Sequence, residues 1–445
     1  MNKKLTLTLG LRTEREFVPS FSDGVGIPSK AITFGWGQKL APRLGFAYDP
    51  SGAGRQKIYA SFGRYYDIMK YELPRGSFGG DKWKDYYYTL NDPNFLAIKP
   101  NPAPNSATGA LPGTLIETLD RRIPSNDPSN SLIDPNLKPV RQTAWDFGYD
   151  YLFENGWVAG ARYSHKQLDH TIEDVGILTP QGEQYYITNP GFGLSIDPTK
   201  FPRGYPANVT PKAQRDYDAI EFRVERRFAK KYYVNASYTW SRLYGNYSGL
   251  ASSDENGRTS PNVNRYFDEA WMSYDARGQL VTGRLGTDRP NTFKFFGSYD
   301  QKWLGGTTRF SPQFFAFSGT PVTTEVDVQD VPVFAFGRGD LGRTPIFSQM
   351  DFAIMHDIKV GEKRSFRIEL NVTNLFNQST VTDRFKTLTH ANDGAITFGN
   401  TADIFKGYDV AAGMRANEIR RDPRYNLPSA FQGPREMRLG LHFFF

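Results

Sequence analysis

Residues 141–170, RQTAWDFGYDYLFENGWVAGARYSHKQLDH, contain the pattern that decides the fold. In the first half, aromatic and polar residues alternate, with Trp145, Phe147, Tyr149 and Tyr151 set against Gln142, Asp146 and Asp150. A period of two indicates a β-strand with two chemically different faces. Asn155-Gly156 follows, and this dipeptide favours a tight hairpin because both residues tolerate positive φ. The stretch therefore predicts two antiparallel strands joined by a short turn.

The same alternation, bounded by turn residues, predicts twelve strands along the chain. They lie near 5–14, 40–49, 57–67, 140–151, 157–172, 216–228, 232–243, 291–300, 307–318, 349–358, 365–376 and 435–445. Most are about ten residues long, as in a tilted strand that crosses a bilayer, whereas an average soluble strand has about 5–6 residues. A β-sandwich also alternates, so the pattern within strands leaves both architectures open.

The lengths of the connections favour a barrel. Five connections are short and contain turn residues, namely 50–55, 155–156, 229–231, 301–306 and 359–364. The connections between these hairpins are long, namely 15–39, 68–139, 173–215, 244–290, 319–348 and 377–434. Outer-membrane barrels combine short periplasmic turns with long extracellular loops, and loops beyond about 12–15 residues are uncommon in compact domains. We therefore expect an all-β, antiparallel transmembrane β-barrel.

Composition agrees with this expectation and excludes other classes. Across 445 residues the mean hydropathy is low, yet 15% of the residues are aromatic, as expected for aromatic girdles beside a polar interior. No run of about 18 apolar residues occurs, which excludes a transmembrane helix. The absence of Cys removes thiolate metal sites and thiol catalysis. The net charge of +7 does not come from a contiguous block of basic residues, so we expect no nucleic-acid partner.

The first residues, MNKKLTLTLGLRTE, start like a signal peptide but alternate like a strand. Two Lys precede a leucine-rich stretch, as in an export signal. Thr6 and Thr8 interrupt the apolar run, however, and no small-residue cleavage site follows. A strand over 5–14 is the better interpretation.

The last residues, RLGLHFFF, resemble the terminal signal that the barrel-assembly machinery reads on outer-membrane proteins. The matching positions are Arg438, Gly440, Phe443 and Phe445. Such a signal has a physical reason, because unpaired strand edges are not tolerated in lipid and the edge strand must pair with the machinery before the barrel closes. We expect the assembly machinery and outer-membrane lipid as partners. The alternative is simply a hydrophobic terminal strand.

Several segments resemble the TonB-dependent receptor family, in particular its Oar-like members. They are KLAPRLGFAYDPSGAGRQKIYASFGRYYD (39–67), LKPVRQTAWDFGYDY (137–151), GRGDLGRTP (337–345) and NVTNLFNQ (371–378). The most specific piece is the family motif Asn374, Leu375, Phe376 and Asn377. The resemblance implies a 22-stranded barrel with an N-terminal plug that an inner-membrane complex drives through a TonB box.

The chain departs from that pattern, because no plug, TonB box or signal peptide is recognisable and about ten strands are missing. We therefore expect residues 1–445 to be the C-terminal portion of such a barrel. Contact with the TonB complex would then run only through the missing plug region. A self-contained chain is the alternative to a truncated gene product.

No pattern predicts a catalytic, cofactor or metal site, so we expect no enzyme, no cofactor and no bound metal. No G-x-S-x-G segment occurs, and residues 252–257 lack the spacing of a calcium-binding loop. Asp169-His170 near His165 is better explained by solvated groups at a barrel rim than by a metal pair. None of the five His has a ligand spacing such as H-x-x-x-H: His165, His170, His356, His390 and His442.

The longest connection carries an aromatic cluster of Trp83, Tyr86, Tyr87 and Tyr88. These rings could stack on a ligand or pack the loop against its neighbours, and both alternatives stay open. The sequence predicts an outer-membrane receptor or transporter for an unknown bulky ligand, such as a peptide, protein or oligosaccharide. The alternatives are a complete, passive twelve-stranded porin-like barrel and an outer-membrane adhesion or structural protein.

Overall fold

Twelve long strands form one antiparallel sheet in the computed structural model of the protein. The structure describes residues 4–19, 30–69, 84–88, 115–120, 133–179, 182–229, 231–249, 267–361 and 364–445. The strands are β1 (Leu5–Arg12), β2 (Ala41–Tyr48), β3 (Gln56–Tyr66), β4 (Arg141–Leu152), β5 (Trp157–His170), β6 (Arg215–Ala229), β7 (Tyr232–Gly245), β8 (Asn291–Trp303), β9 (Gly306–Phe317), β10 (Phe347–Val360), β11 (Arg364–Thr373) and β12 (Glu436–Phe444). All twelve predicted strands are confirmed, including the first, which begins at Leu5.

Each strand pairs with the next one in the sequence, from β1 at one edge to β12 at the other. A two-residue strand, Gly283–Arg284, adds to the end of β7. Within the described residues, β1 and β12 each have one hydrogen-bonded neighbour. The predicted order of tight and long connections is confirmed as well. Gly156, in the turn between β4 and β5, has φ of +82°, which favours glycine at this position.

The pairing register gives the sheet an apolar face and a polar face, as the alternation predicts. On β6, Ile220, Phe222 and Val224 belong to the apolar face, and the Phe222 side chain is 52% exposed. Two charged residues, Asp218 and Arg226, lie on the same face at the two ends of this stretch. Asp218 accepts hydrogen bonds from Tyr163 and His165, and the guanidinium of Arg226 lies 4.2 Å from the ring centroid of Tyr232. The nine residues from Asp218 to Arg226 cover about 26 Å along the strand.

The long connections also contain ordered structure, which the sequence did not predict. Five two-stranded hairpins lie in their described residues: Glu16–Pro19 with Lys30–Phe34, Lys84–Tyr88 with Leu115–Asp120, Glu173–Thr179 with Gly182–Thr188, Val326–Val328 with Val331–Val333, and Val381–Arg384 with Pro428–Phe431. The same residues also form an α-helix, α1 (Val410–Ala416), and short 3-10 helices at Gly193–Ile196, Ala270–Ser273 and Thr401–Lys406. In the part of the chain that is described, no helix is long and apolar enough to cross a membrane.

The connections bury most of the apolar core. One cluster joins the connections that follow β7, β9 and β11, and contains Trp271, Val333, Phe334, Ile396 and Ile404. A second cluster joins the connections that follow β1, β3 and β5, and contains Val18, Phe34, Met69, Leu137 and Ile187. The apolar core of the protein therefore lies at the end of the sheet where the long connections begin.

Polar groups inside these connections have partners in the same connection or in another one. Burial raises the pKa of Tyr205 to about 12, and its hydroxyl lies 2.7 Å from Thr401 Oγ1. The hydrogen bonds that Arg424 donates to Asp422 lower the pKa of that carboxyl to about 2. Both groups keep their ordinary charge state near neutral pH, which suits connections that must stay packed.

We expect the two faces of the sheet to respond differently to the same new charge. Phe222→Arg places a cation on the apolar face and should lower the free energy of unfolding by about 2–4 kcal/mol in a bilayer. Thr239→Arg is the matched control, because Thr239 lies on the polar face beside Glu221. Urea unfolding in phospholipid vesicles measures both. Equal losses would show that the faces are assigned wrongly.

Candidate functional site

The polar face forms a cleft of about 630 Å³ across β3 to β8, which we call the polar cleft. Its floor is a row of small, buried residues at one level of the sheet, namely Ser164, Ala219 and Ser241. Larger polar residues from the same face form its walls: Tyr65, Gln142, Arg162, Lys166, Tyr217, Glu221, Thr239, Thr292 and Lys294. Small side chains in one row leave the space that their larger neighbours enclose.

Hydroxyl and carboxylate groups on the floor bond to each other across strands. Ser164 Oγ donates to Asp146, and Ser61 Oγ donates to the other oxygen of the same carboxylate at 3.3 Å. Ser241 Oγ donates to the backbone carbonyl of Arg289 at 3.0 Å. On the wall, Arg162 Nη2 lies 3.3 Å from Glu221 Oε1. The cleft therefore offers paired polar groups that suit water and polar solutes.

A charge pair beside the cleft can form only because a glycine occupies the strand position between its two residues. Arg223 on β6 donates to Asp150 on β4 at 2.8 Å, although β5 lies between these two strands. The residue on β5 at this level is Gly160, which pairs with both. A Cβ atom there would lie 2.2 Å from Asp150 Oδ1 and 3.2 Å from Arg223 Nε. Glycine at 160 is what allows the two charges to meet.

Two further charge pairs continue the polar face toward β12. Arg309 on β9 makes two hydrogen bonds to Asp300 on β8, at 2.7 and 2.8 Å. Arg367 on β11 makes two to Asp357 on β10, at 2.7 and 3.1 Å. Pairs with two parallel hydrogen bonds are the stronger kind of charge contact in proteins. The sequence showed these residues opposite the apolar positions but could not show which carboxylate each Arg meets.

The five His residues do not assemble a metal site in the described part of the chain, which holds no group of three or more metal-binding side chains. His165 Nδ1 lies 2.8 Å from Asp218 Oδ1. The His170 ring packs edge-on against Phe192, with 5.8 Å between ring centroids. The two rings thus have different partners, and Asp169 bonds to Arg141 and Thr143 instead. Residues 252–257 lie outside the described residues.

The aromatic cluster of the longest connection is only partly described, because Trp83 lies outside the described residues. Tyr86, Tyr87 and Tyr88 lie on the strand Lys84–Tyr88, which pairs with Leu115–Asp120. Successive strand residues point to opposite faces, so Tyr86 and Tyr87 face opposite ways, and their side chains are 39% and 45% exposed. The structure does not bring the three rings onto one surface.

The motif Asn374, Leu375, Phe376 and Asn377 forms a turn that fastens three strands. Asn374 has φ of +52° and is 1% exposed. Its amide nitrogen donates to the carbonyls of Gln378 and Gly433, both at 2.8 Å. Its backbone N–H donates to Asp351 Oδ1 at 2.8 Å, and Asn377 Oδ1 accepts from the Arg435 N–H at 2.9 Å. These bonds tie the end of β11 to β10 and to the start of β12.

The GRGDLGRTP segment fastens two long connections to the sheet. Arg343 donates to Asp288 Oδ2 at 2.5 Å and to the carbonyl of Gly319 at 2.9 Å. Asp288 is 1% exposed, and its other oxygen accepts from the Leu243 N–H on β7 at 2.6 Å. Sequence reasoning missed Asp288, since no spacing connects it with Arg343.

The terminal residues lie on the edge strand β12. Arg438 and Gly440 pair with Asn371 and Glu369 and belong to the polar face, while Phe443 pairs with Phe366 on the apolar face. Phe445 is 96% exposed. All four residues are thus accessible from the open side of the strand. The Phe445 ring stacks on that of Phe443, with 6.2 Å between the ring centroids.

Comparison with known proteins supports the fold. The outer membrane beta barrel domain family matches residues 1–319. The TonB-dependent transporter Oar of Myxococcus xanthus is 27% identical over 468 residues, covering 99% of this chain and 41% of the transporter. The chain thus spans about two fifths of the length of this relative. The predicted resemblance to TonB-dependent receptors, and to Oar-like members in particular, is confirmed.

Solved structures of two receptors also match the chain. The ferric-catecholate import receptor Fiu from Escherichia coli K12 is 12% identical with a TM-score of 0.42, and the alignment covers 100% of this chain and 42% of that one. The siderophore receptor PiuA from Acinetobacter baumannii is 11% identical with a TM-score of 0.44, covering 100% and 41%.

We expect Gly160→Val to destabilise the protein by about 1–3 kcal/mol, because the added side chain must displace the Asp150–Arg223 pair. Gly45→Ala is the control, since a Cβ at Gly45, also on the polar face, would meet its nearest atom at an ordinary 3.5 Å. Unfolding free energies in phospholipid vesicles compare the two. A Gly160 variant as stable as the Gly45 variant would contradict the proposed need for glycine.

Proposed function

The chain belongs to the outer membrane beta barrel domain family, and from this we propose that it forms part of a TonB-dependent receptor for uptake of a bulky ligand. Membership of the family places it in the bacterial outer membrane. Its relative Oar is a transporter, which agrees with a role in transport rather than catalysis.

The polar cleft is the observation that carries the proposed function. The same strands that expose Phe222 and Trp145 on one face carry paired charges and hydroxyl groups on the other. In a barrel, the apolar face contacts lipid and the polar face surrounds an aqueous interior. A polar solute can exchange hydrogen bonds with such a wall at little cost in free energy. When the solute moves on, each wall group bonds again to its protein partner or to water.

Energy coupling would come from the TonB complex, because the relative Oar is a TonB-dependent transporter. We assign no described residue to that contact. The alignment with two fifths of the relative supports the proposal that these strands are a portion of a larger barrel, which we propose to be its carboxy-terminal portion. The single hydrogen-bonded neighbour of β1 and of β12 supports it too, because unpaired strand edges are not tolerated in lipid.

The ligand would be a peptide, protein or oligosaccharide that first meets the long connections. Tyr86 and Tyr87 expose rings on opposite faces of one hairpin, so either ring can stack on a ligand, but both cannot stack on the same planar group. Recognition by aromatic stacking would then involve one tyrosine together with residues of neighbouring connections.

The edge strand β12 would serve in assembly. Arg438, Gly440 and Phe443 lie on a strand whose second edge is unpaired in the described structure, and Phe445 directly follows the last residue of that strand. A strand with an exposed hydrogen-bonding edge can add to another sheet. We propose that the barrel-assembly machinery binds this edge before the barrel closes, with outer-membrane lipid covering Phe443 afterwards.

A bulky side chain on the cleft floor tests the proposed path. We expect Ala219→Trp to reduce uptake of fluorescent oligopeptides and maltooligosaccharides by cells toward the level measured without TonB, because it fills the floor of the cleft. Ile220→Trp is the matched control, since it adds the same ring one residue away on the apolar face. Heat-dependent gel migration and surface labelling check that both variants are inserted.

The results separate the candidate functions. Equal uptake by the two variants would show that the cleft is not on the path. Uptake that does not depend on TonB would favour the passive barrel. Binding of a probe at the cell surface without any uptake would favour the adhesion or structural role.

A further inference from the structure

Two lysine side chains from different connections converge on one aromatic ring at the loop end of the sheet. Lys138 Nζ lies 5.5 Å from the ring centroid of Phe192, and Lys212 Nζ lies 5.9 Å from the same centroid. The two ammonium groups are therefore at most about 11 Å apart. Both lysines are exposed, so their long, flexible stems allow the ammonium groups to turn toward a common ligand.

A buried amide fixes the backbone of the first lysine. Asn189 Oδ1 accepts a hydrogen bond from the Lys138 N–H at 2.8 Å, and Asn189 Nδ2 donates to the Lys138 carbonyl at 2.9 Å. The same Nδ2 donates to the Thr171 carbonyl at 2.6 Å. Asn189 is 3% exposed, so the anchor belongs to the interior of the connection. The backbone of Lys138 is thus held rigidly, and only its side chain is free to move.

The second lysine is held by the same short segment. Gly191 has φ of +80°, and a Cβ atom there would lie 2.6 Å from Lys212 Cα. The absence of a side chain therefore lets the segment 189–193 pack directly on the Lys212 backbone. Asn246 Nδ2 also donates to the Lys212 carbonyl, at 3.0 Å. One segment thus carries Phe192 and positions both cations around it.

The positive charges of this pair are not neutralised by the described residues. Of the ion pairs found among them, none includes Lys138 or Lys212. The third cation nearby, Arg141, is paired with Asp169 at 2.9 Å. Two charges held close together without a counter-charge repel each other, and an anion between them removes that cost.

There is room for a ligand beside the pair. A cavity of about 420 Å³ is lined by Lys138, Arg141, His170, Asn136 and Tyr66. The His170 ring, which lines this cavity, also packs edge-on against Phe192, so the cavity lies next to the ring on which the two lysines converge. Arg141 and His170 are the terminal residues of β4 and β5, which places the cavity at the rim of the sheet.

We propose that Lys138 and Lys212 form a binding site for a phosphoryl group at the rim of the sheet. A phosphate monoester carries about −1.5 to −2 charges near neutral pH, which matches two ammonium groups. Lysine binds phosphate as a point charge and needs no fixed planar geometry. The group can belong to free phosphate or to the headgroup of a phosphorylated lipid, and the chemistry of recognition is shared. This site goes beyond the proposed uptake function and does not depend on it.

The test measures phosphate binding by the full chain and by charge-removing variants. Inorganic phosphate is titrated into the protein in dodecyl maltoside micelles by calorimetry. A second arm measures retention of phosphatidic acid against phosphatidylcholine in mixed micelles. Loss of one charge-assisted hydrogen bond should weaken binding about tenfold or more, so we expect this for Lys138→Gln and for Lys212→Gln. Lys138→Arg should keep most of the affinity.

Lys200→Gln is the matched control, because Lys200 Nζ also lies over an aromatic ring, 5.7 Å from the centroid of Tyr186, but without a second lysine. It should bind both probes like the unchanged protein. Binding of inorganic phosphate alone identifies a soluble anion as the ligand, and binding of phosphatidic acid alone identifies a lipid headgroup. The proposal is overturned if neither probe binds, or if the two lysine variants bind as well as the Lys200 control.

Discussion

Hydrogen bonding between consecutive strands is the constraint on which the rest of this structure depends. In lipid no water is present to satisfy a free N–H or C=O group, and each orphan costs several kcal/mol. Twelve strands meet this demand by pairing in sequence order, and β1 and β12 are the two borders. The register of each pair then decides which side chains contact lipid, since a slip of one residue would exchange the faces. Pairing and alternation are thus two aspects of one requirement.

The polar face follows from the same requirement, because every second residue must point away from lipid. These residues include charges, and the structure pairs several of them across strands. Asp150 meets Arg223 over Gly160, so even a glycine in the middle of a strand has a role set by its neighbours. Burying a charge without a partner is costly, whereas paired charges facing an aqueous space are cheap to keep. A wall of this kind is compatible with passage and poorly suited to tight binding.

The strands could be predicted because their alternating pattern lies within one short segment of sequence. The packing of the connections could not be predicted, because it joins residues that are far apart in the sequence. A period of two over about ten residues can be recognised without knowing the partner strand. Trp271, Val333 and Ile404 belong to one core but come from three connections without periodicity. Lys39, 1% exposed and bonded to Glu14 and Glu16, is a charged residue that composition would place in solvent. Asn374 was recognisable as part of a motif, but only the structure gives the reason, a left-handed residue whose side chain fastens β11 to β12.

The packing of the connections indicates which part of the proposed receptor would select the ligand and which part would let it pass. A binding surface on a segment that is already ordered loses little conformational entropy when a ligand arrives, so more of the contact energy remains as affinity. Here one apolar core holds the connections after β7, β9 and β11, and another holds those after β1, β3 and β5. In the polar cleft, in contrast, Asp146, Ser164, Ser241 and the Arg162–Glu221 pair already have partners, so these groups offer a ligand little net gain. Under the proposed function, selectivity therefore belongs to the ordered connections at the rim, and the cleft below provides a path that does not retain what passes.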